Sequence, residues 1–175
     1  MSMGKDLVWC STLARELFEQ ADAILGISLS RVCFDGPEAE LKQTKNTQPA
    51  IFLHSVVLTR LMPNAAQVSM TAGHSLGEYS ALVFAGAMSF EDALRLVRLR
   101  GELMQRAGEE QPGTMAAVMG LEPDVVTDIC REASSAGIVQ CANFNSPGQI
   151  AVSGSITGVH RAMEIAKGRG AKLVR

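Results

Sequence analysis

Gln67-Val68-Ser69-Met70-Thr71-Ala72-Gly73-His74-Ser75-Leu76-Gly77-Glu78-Tyr79-Ser80-Ala81-Leu82 is the stretch on which the fold turns. Val68, Met70 and Ala72 alternate with the period of a half-buried strand, so residues 67–72 are predicted to be extended. The glycines break that pattern, and Glu78 to Ala85 has the composition of a helix. A strand that turns sharply into a helix is a building unit of α/β architecture. The turn itself, Gly73-His74-Ser75-Leu76-Gly77, reads G-x-S-x-G. After a strand and before a helix this motif is a nucleophile elbow: the serine sits on a tight turn with its hydroxyl exposed, and the two glycines let neighbouring backbone approach. The Leu76 N–H, close to a helix N-terminus, can face a developing oxyanion. The bare pattern also arises by chance, and a glycine-rich turn without chemistry satisfies it equally well.

Upstream, Leu13, Leu17, Ala21, Ile24 and Leu25 recur at helical spacing between Ser11 or Thr12, which can cap the start, and Gly26, which suits the end. Asp35-Gly36-Pro37 interrupts the chain, and Thr47-Gln48-Pro49 is read as opening a second helix that runs to Pro63. Downstream, Gly86 interrupts, and Ser89-Phe90-Glu91-Asp92 resembles a capping box for a helix carrying Leu94, Val97, Leu99 and Met104. The first 110 residues thus offer one strand among four or five amphipathic helices. A lone strand leaves both its backbone edges unpaired, so this half reads either as a helical bundle or as an excerpt of a larger α/β sheet.

From Thr114 the rhythm changes. Strands are predicted over 114–119, 138–144, 149–153 and 171–174, with helices over 123–136 and 156–168, giving the order β-α-β-β-α-β. That order is the ferredoxin-like unit, a four-stranded sheet with two helices on one face. Two domains follow, 1–112 carrying the elbow and 113–175 carrying this unit.

Composition narrows the function. Of 175 residues, 16 are Lys or Arg and 18 are Asp or Glu, a net charge of −2, with no basic run interleaved with aromatics, so nucleic acid is not an expected partner. No apolar stretch approaches the ~18 residues of a membrane span, and no charged-then-apolar leader is seen, so neither a membrane nor secretion is expected. Cys10, Cys33, Cys130 and Cys141 are scattered, without a C-x-x-C pair or a histidine cluster. They make no metal site and read as buried thiols in a reducing, cytoplasmic compartment.

A serine nucleophile needs a base. His74 is adjacent to Ser75 on a tight turn, where neighbouring side chains diverge, so it reads as an orienting residue. His54 and His160 lie on amphipathic helices as ordinary structural histidines. No base is evident. Arg100, in Arg95-Leu96-Val97-Arg98-Leu99-Arg100-Gly101, could fork two hydrogen bonds onto a carboxylate and so select an acidic substrate, yet by spacing it is one of three arginines.

Gly73 to Leu82 resembles the elbow of the malonyl-CoA:acyl carrier protein transacylases of fatty acid synthesis. So do the flanking blocks Met3-Gly4-Lys5-Asp6-Leu7, Thr47-Gln48-Pro49-Ala50-Ile51, Leu96 to Gln105 and Ala142 to Ile150. The resemblance covers nearly the whole chain. It implies a partial α/β-hydrolase-like acyltransferase core with an inserted ferredoxin-like subdomain. It also implies that Ser75 becomes malonylated, that Leu76 N–H is one oxyanion donor, and that Arg100 pairs with the free malonyl carboxylate. His74, Met104, Asn143 and Asn145 are carried over as substrate contacts, as is Gln149 more weakly; Glu78 belongs to the motif without an assigned step.

The resemblance also marks departures. The family begins with a strand followed by Gly-Gln-Gly-Ser-Gln, which supplies the other oxyanion N–H, and places its catalytic histidine beyond the ferredoxin-like subdomain. This chain joins the pattern at Met3 and ends at Arg175. The expectation is therefore a member truncated at both ends, with malonyl-CoA as substrate, acyl carrier protein as partner, no permanently bound cofactor, and little turnover by these residues alone. The alternatives are an acyltransferase domain of a polyketide synthase and a non-catalytic fragment that binds carrier protein or coenzyme A.

Overall fold

Local chemistry sets the helix boundaries. The computed structural model describes residues 3–63 and 68–174. After a short helix α1 (Lys5–Cys10), Ser11 Oγ accepts a hydrogen bond from Ala14 N and starts α2 (Thr12–Leu25), which Gly26 ends in the left-handed conformation. Two short helices that the sequence pattern did not single out follow, α3 (Leu29–Asp35) and α4 (Glu38–Leu41). They bury Leu29, Val32, Cys33 and Leu41 in the core they share with α2 and α5.

The second long helix, α5 (Thr44–Leu61), starts three residues earlier than Thr47, so Pro49 lies inside it instead of at its opening turn. Proline has no N–H, and the carbonyl of Lys45, which residue 49 would otherwise bond, needs another donor. Arg98 Nη1 supplies it at 2.9 Å. Arg98 lies on α7 (Phe90–Glu110), whose start is capped by Ser89 Oγ accepting from Asp92 N at 3.0 Å. Between them α6 (Gly77–Phe84) follows the elbow. Phe18, Phe52, Leu53, Val56, Val57, Leu94 and Val97 form the fully buried heart of this part, with Phe52 and Phe90 stacked at 5.9 Å.

The strand expected over 67–72 is not formed. Gln67 lies outside the described residues, and Val68 to Ala72 enter no ladder and are exposed. The alternation of Val68, Met70 and Ala72 meets the requirement for a strand, but among the described residues no neighbouring backbone accepts or donates its hydrogen bonds.

The second part contains all the described strands: β1 (Gly113–Met119), β2 (Val139–Ser146), β3 (Gln149–Ser155) and β4 (Leu173–Val174), with helices α8 (Pro123–Ala133) and α9 (Ile156–Gly168). The sheet is antiparallel, in the order β2-β3-β1-β4, with Val118 opposite Ile150 and Ala116 opposite Val152. These inward residues pack on Val126, Ile129, Val159, Ala162 and Ala166 of the two helices. Ser155 Oγ caps α9 by accepting from Gly158 N at 3.2 Å. The chain divides into two compact units, Met1–Arg106 and Ala107–Arg175, so the last turn of α7 belongs to the second. All four cysteines are free thiols, with Cys130 and Cys141 Sγ 4.0 Å apart. Among the described residues no helix is long and apolar enough to cross a membrane, and no group of three or more His, Cys, Asp or Glu could hold a metal ion.

Candidate active site

Ser75 is the sole non-glycine residue with positive φ among the described residues, at 53°. Such a conformation strains an L-residue and persists where the surroundings enforce it. Gly73 is one enforcer. A Cβ on Gly73 would stand 2.0 Å from Gly77 C, 2.1 Å from Gly77 O and 2.2 Å from Glu78 N, so nothing larger than hydrogen fits there. Gly77 differs from the sequence expectation that both glycines admit close backbone: a Cβ there meets nothing within 4 Å. The turn closes through Gly77 N donating to His74 O at 2.9 Å and Glu78 N donating to Ser75 O at 3.3 Å. Leu76 N–H donates to no carbonyl among the described residues and lies immediately before α6, where the helix dipole is positive. The side chains of Leu76 and Tyr79 pack on the first unit's core, which anchors the turn, while Ser75 and His74 remain exposed.

The second component is α7, which meets the start of α5 at Gly101. A Cβ on Gly101 would approach Thr44 O to 2.8 Å and Lys45 Cα to 2.9 Å, so the glycine is what allows the two backbones to meet. Three polar links then fix α7 against α5: Arg98 Nη1 to Lys45 O and, at 2.8 Å, to Asn46 Oδ1, and Lys45 N to Gln105 Oε1 at 3.3 Å. Asn46 is itself held by donating to Glu40 O at 2.8 Å.

Arg100 lies between these components. Its Nη2 donates to Ser75 Oγ at 2.8 Å and its Nη1 to Gln48 Oε1. Met104, one turn along α7, accepts a hydrogen bond at Sδ from Gln48 Nε2 at 3.2 Å. The three arginines that spacing could not rank are thus separated by geometry. Arg95 pairs with Glu91 on the surface, Arg98 serves the helix contact and Glu102, and Arg100 alone reaches the serine.

Of the residues singled out in the sequence, Ser75, Leu76, His74, Arg100 and Met104 belong to the first unit. Asn143 and Asn145 lie on β2 of the second, Asn143 half-buried opposite Ala151 and Asn145 exposed where the register shifts, and Gln149 begins β3. Gln48 was not assigned a role in the sequence. The signal available was a glutamine directly before a proline at the start of a run of apolar residues, Pro49 to Leu53. The hydrogen-bond partner of Ser75 Oγ is Arg100, and no histidine takes that place among the described residues. Chemically the arrangement presents a strained hydroxyl, a backbone N–H beside it that meets no carbonyl among the described residues, and a guanidinium within hydrogen-bond reach. That set suits acyl transfer from a donor bearing a second negative charge.

The chain is 44% identical over 174 residues to a malonyl CoA-acyl carrier protein transacylase of Bacillus subtilis, covering 98% of this chain and 55% of that protein. It is 42% identical over 174 residues to the protein of that name from Escherichia coli K12, covering 98% and 56%. Among solved structures, the complex of a type II PKS acyl-carrier protein with its malonyl-transacylase matches with a TM-score of 0.91 at 41% identity, covering 98% of this chain and 56% of that one. An acyl-carrier-protein S-malonyltransferase from Burkholderia pseudomallei matches with a TM-score of 0.88 at 43% identity, covering 98% and 57%. The chain therefore spans about half the length of the relatives it matches. Residues 1–175 match the acyl transferase domain throughout, and the chain belongs to the acyl transferase family.

Proposed function

We propose that this chain carries the acyl-accepting half of a malonyltransferase, with Ser75 as nucleophile. Ser75 Oγ attacks the thioester carbonyl of malonyl-CoA, the C–S bond breaks, and coenzyme A leaves as the thiol. The phosphopantetheine thiol of acyl carrier protein then attacks the seryl ester, the C–O bond breaks, and the serine recovers its proton. Leu76 N–H stabilises the tetrahedral oxyanion, a donor of the kind worth about 10²- to 10³-fold in rate. Arg100 receives the free malonyl carboxylate, with Met104 and His74 beside it, and Asn143 and Asn145 serve as further substrate contacts. No bound cofactor enters these steps, and a cytoplasmic setting fits the free thiols.

The observation that carries this reading is the 2.8 Å contact between Arg100 Nη2 and Ser75 Oγ. A cation so placed favours an acyl group with a second carboxylate over a neutral one. The relatives' names support malonyl as that group. In this reading residues 1–112 are the corresponding part of an α/β-hydrolase-like acyltransferase core, and residues 113–175 are a ferredoxin-like subdomain inserted in it. A polyketide setting is the second reading, favoured by the carrier protein named in the solved complex.

The test is single-turnover acylation. The chain is incubated with malonyl-CoA or acetyl-CoA, and the adduct is mapped by mass spectrometry. We expect one malonyl ester on Ser75, absent in Ser75→Ala, with the malonyl preference lost in Arg100→Ala. An adduct elsewhere, no adduct from either donor, or an unchanged preference in Arg100→Ala overturns the reading. With no histidine on Ser75 among the described residues, repeated turnover onto carrier protein is expected to fall short of the relatives by the 10²- to 10⁴-fold typical of a missing general base.

A further inference from the structure

Arg100 has a long, flexible stem, yet the chemistry proposed for it needs one edge of the guanidinium held beside Ser75. The residue that holds it is Gln48. Only 6% exposed, Gln48 lies on α5 with its amide wedged between two α7 side chains one turn apart. The guanidinium has donors alone and the thioether of Met104 can only accept. The amide therefore has one orientation that satisfies both, with Oε1 to Arg100 Nη1 and Nε2 to Met104 Sδ. With Nη1 fixed to a buried acceptor, the planar fork carries Nη2 onto Ser75 Oγ.

The identity of the holder matters as well as its position. A glutamate at 48 would fix the same fork, but it would neutralise the charge that an incoming carboxylate needs. A neutral amide holds the cation and leaves its charge available. Asn46 does for Arg98 what Gln48 does for Arg100, but Arg98 also meets Glu102 at 2.6 Å and so has no charge to offer.

We propose that Gln48 is a positioning residue that locks Arg100 Nη1, places Nη2 against Ser75, and so sets the preference for carboxylate-bearing acyl groups. The last clause rests on the acyl-transfer reading above; the locking does not. The experiment uses the ¹⁵N-labelled chain, with the Arg100 guanidinium resonances assigned through Arg100→Lys, and titrates malonate and acetate into the wild type, Gln48→Glu and Gln48→Met. The expected pattern is crossed. Arg100 shows slow rotation and separate Nη signals in the wild type and in Gln48→Glu, and averaged signals in Gln48→Met. Malonate binding weakens about tenfold or more in both variants, in one because the charge is neutralised and in the other because the fork is released. A held Arg100 in Gln48→Met overturns the proposal, as does an averaged one in Gln48→Glu, which preserves shape and decides the matter should Gln48→Met not fold. Wild-type binding of malonate no tighter than acetate would instead refute the carboxylate reading of Arg100 and leave the locking result standing.

Discussion

The sheet of β1 to β4 and the segment leading into the elbow both announce themselves by apolar alternation, yet one is a sheet and the other forms no strand. Ala116 and Val118 have Val152 and Ile150 across the ladder and α8 and α9 beneath. Among the described residues Val68 and Met70 have neither, and Met70 is 87% exposed. The difference teaches that alternation marks a surface able to be half-buried, whereas a strand is a property of a pair. The site lies where this unpaired segment meets α5 and α7, and its geometry comes from the polar contacts of those two helices more than from the segment before Ser75.

Amide hydrogen exchange should separate the two regions most widely. Residues 115–119 and 150–153 should exchange orders of magnitude more slowly than 68–72, because only the former open by breaking a packed sheet. Protection of 68–72 equal to that of the sheet would break the comparison.

Next in size come the elbow glycines. Gly73→Ala should cost on the order of 3 kcal/mol or more by denaturant unfolding, since backbone atoms at 2.0 to 2.2 Å cannot yield as a side chain can. Gly77→Ala should stay within about 0.5 kcal/mol of wild type, its Cβ meeting nothing within 4 Å. Equal losses would place the constraint in the motif as a whole instead of in one glycine.

A smaller contrast lies along α7. Gly101→Ala should destabilise by about 1–3 kcal/mol by pushing Thr44 and Lys45 away, and should weaken the Arg100 to Ser75 contact, read as lost malonyl preference. Gly108→Ala, with nothing within 4 Å, should gain up to about 1 kcal/mol from helix propensity. A stabilising Gly101→Ala would mean that the close approach of α5 and α7 is not needed.

A last contrast concerns the thiols, one buried in each unit. Burial pushes Cys33 up to about 12, with Asp22 adding to it, and burial with the neighbouring Cys141 pushes Cys130 up to about 12, against an ordinary 9.0. A folded-state value above the unfolded one gives stability that is complete below pH 9 and is lost as pH rises toward 12. Unfolding midpoints should therefore fall across that window, and Cys33→Ala or Cys130→Ala should each flatten the fall. Exposed Cys10 should alkylate first in the native protein.

The second unit was legible nearly residue by residue, because its strands, turns and caps are local. Helix 156–168 begins where Ser155 caps it, and Pro147-Gly148, within the turn read at Asn145 to Gly148, makes the tight connection between β2 and β3. In the first unit the capped helix α2 was legible as well. Helices α3 and α4 were not, being too short to show a period, and α5 began early because tertiary donors from Arg98 compensate the carbonyl that Pro49 leaves open. At the site, G-x-S-x-G located the turn, but spacing could not say that Arg100 would reach it and Arg98 would not. That choice is made by the rotation of α7 against α5, which Gly101 permits.

The guanidinium contact also steers a proton. Ser75 Oγ accepts from Arg100 Nη2, and an oxygen cannot send its own hydrogen toward a group that has no lone pair to receive it. Of the three tetrahedral directions left by the bond to Cβ, one is closed by the arginine, and the hydroxyl rotor is confined to the other two. A base acting on Ser75 in the proposed transfer would therefore have to approach away from Arg100, with the strained turn and the arginine together setting the direction.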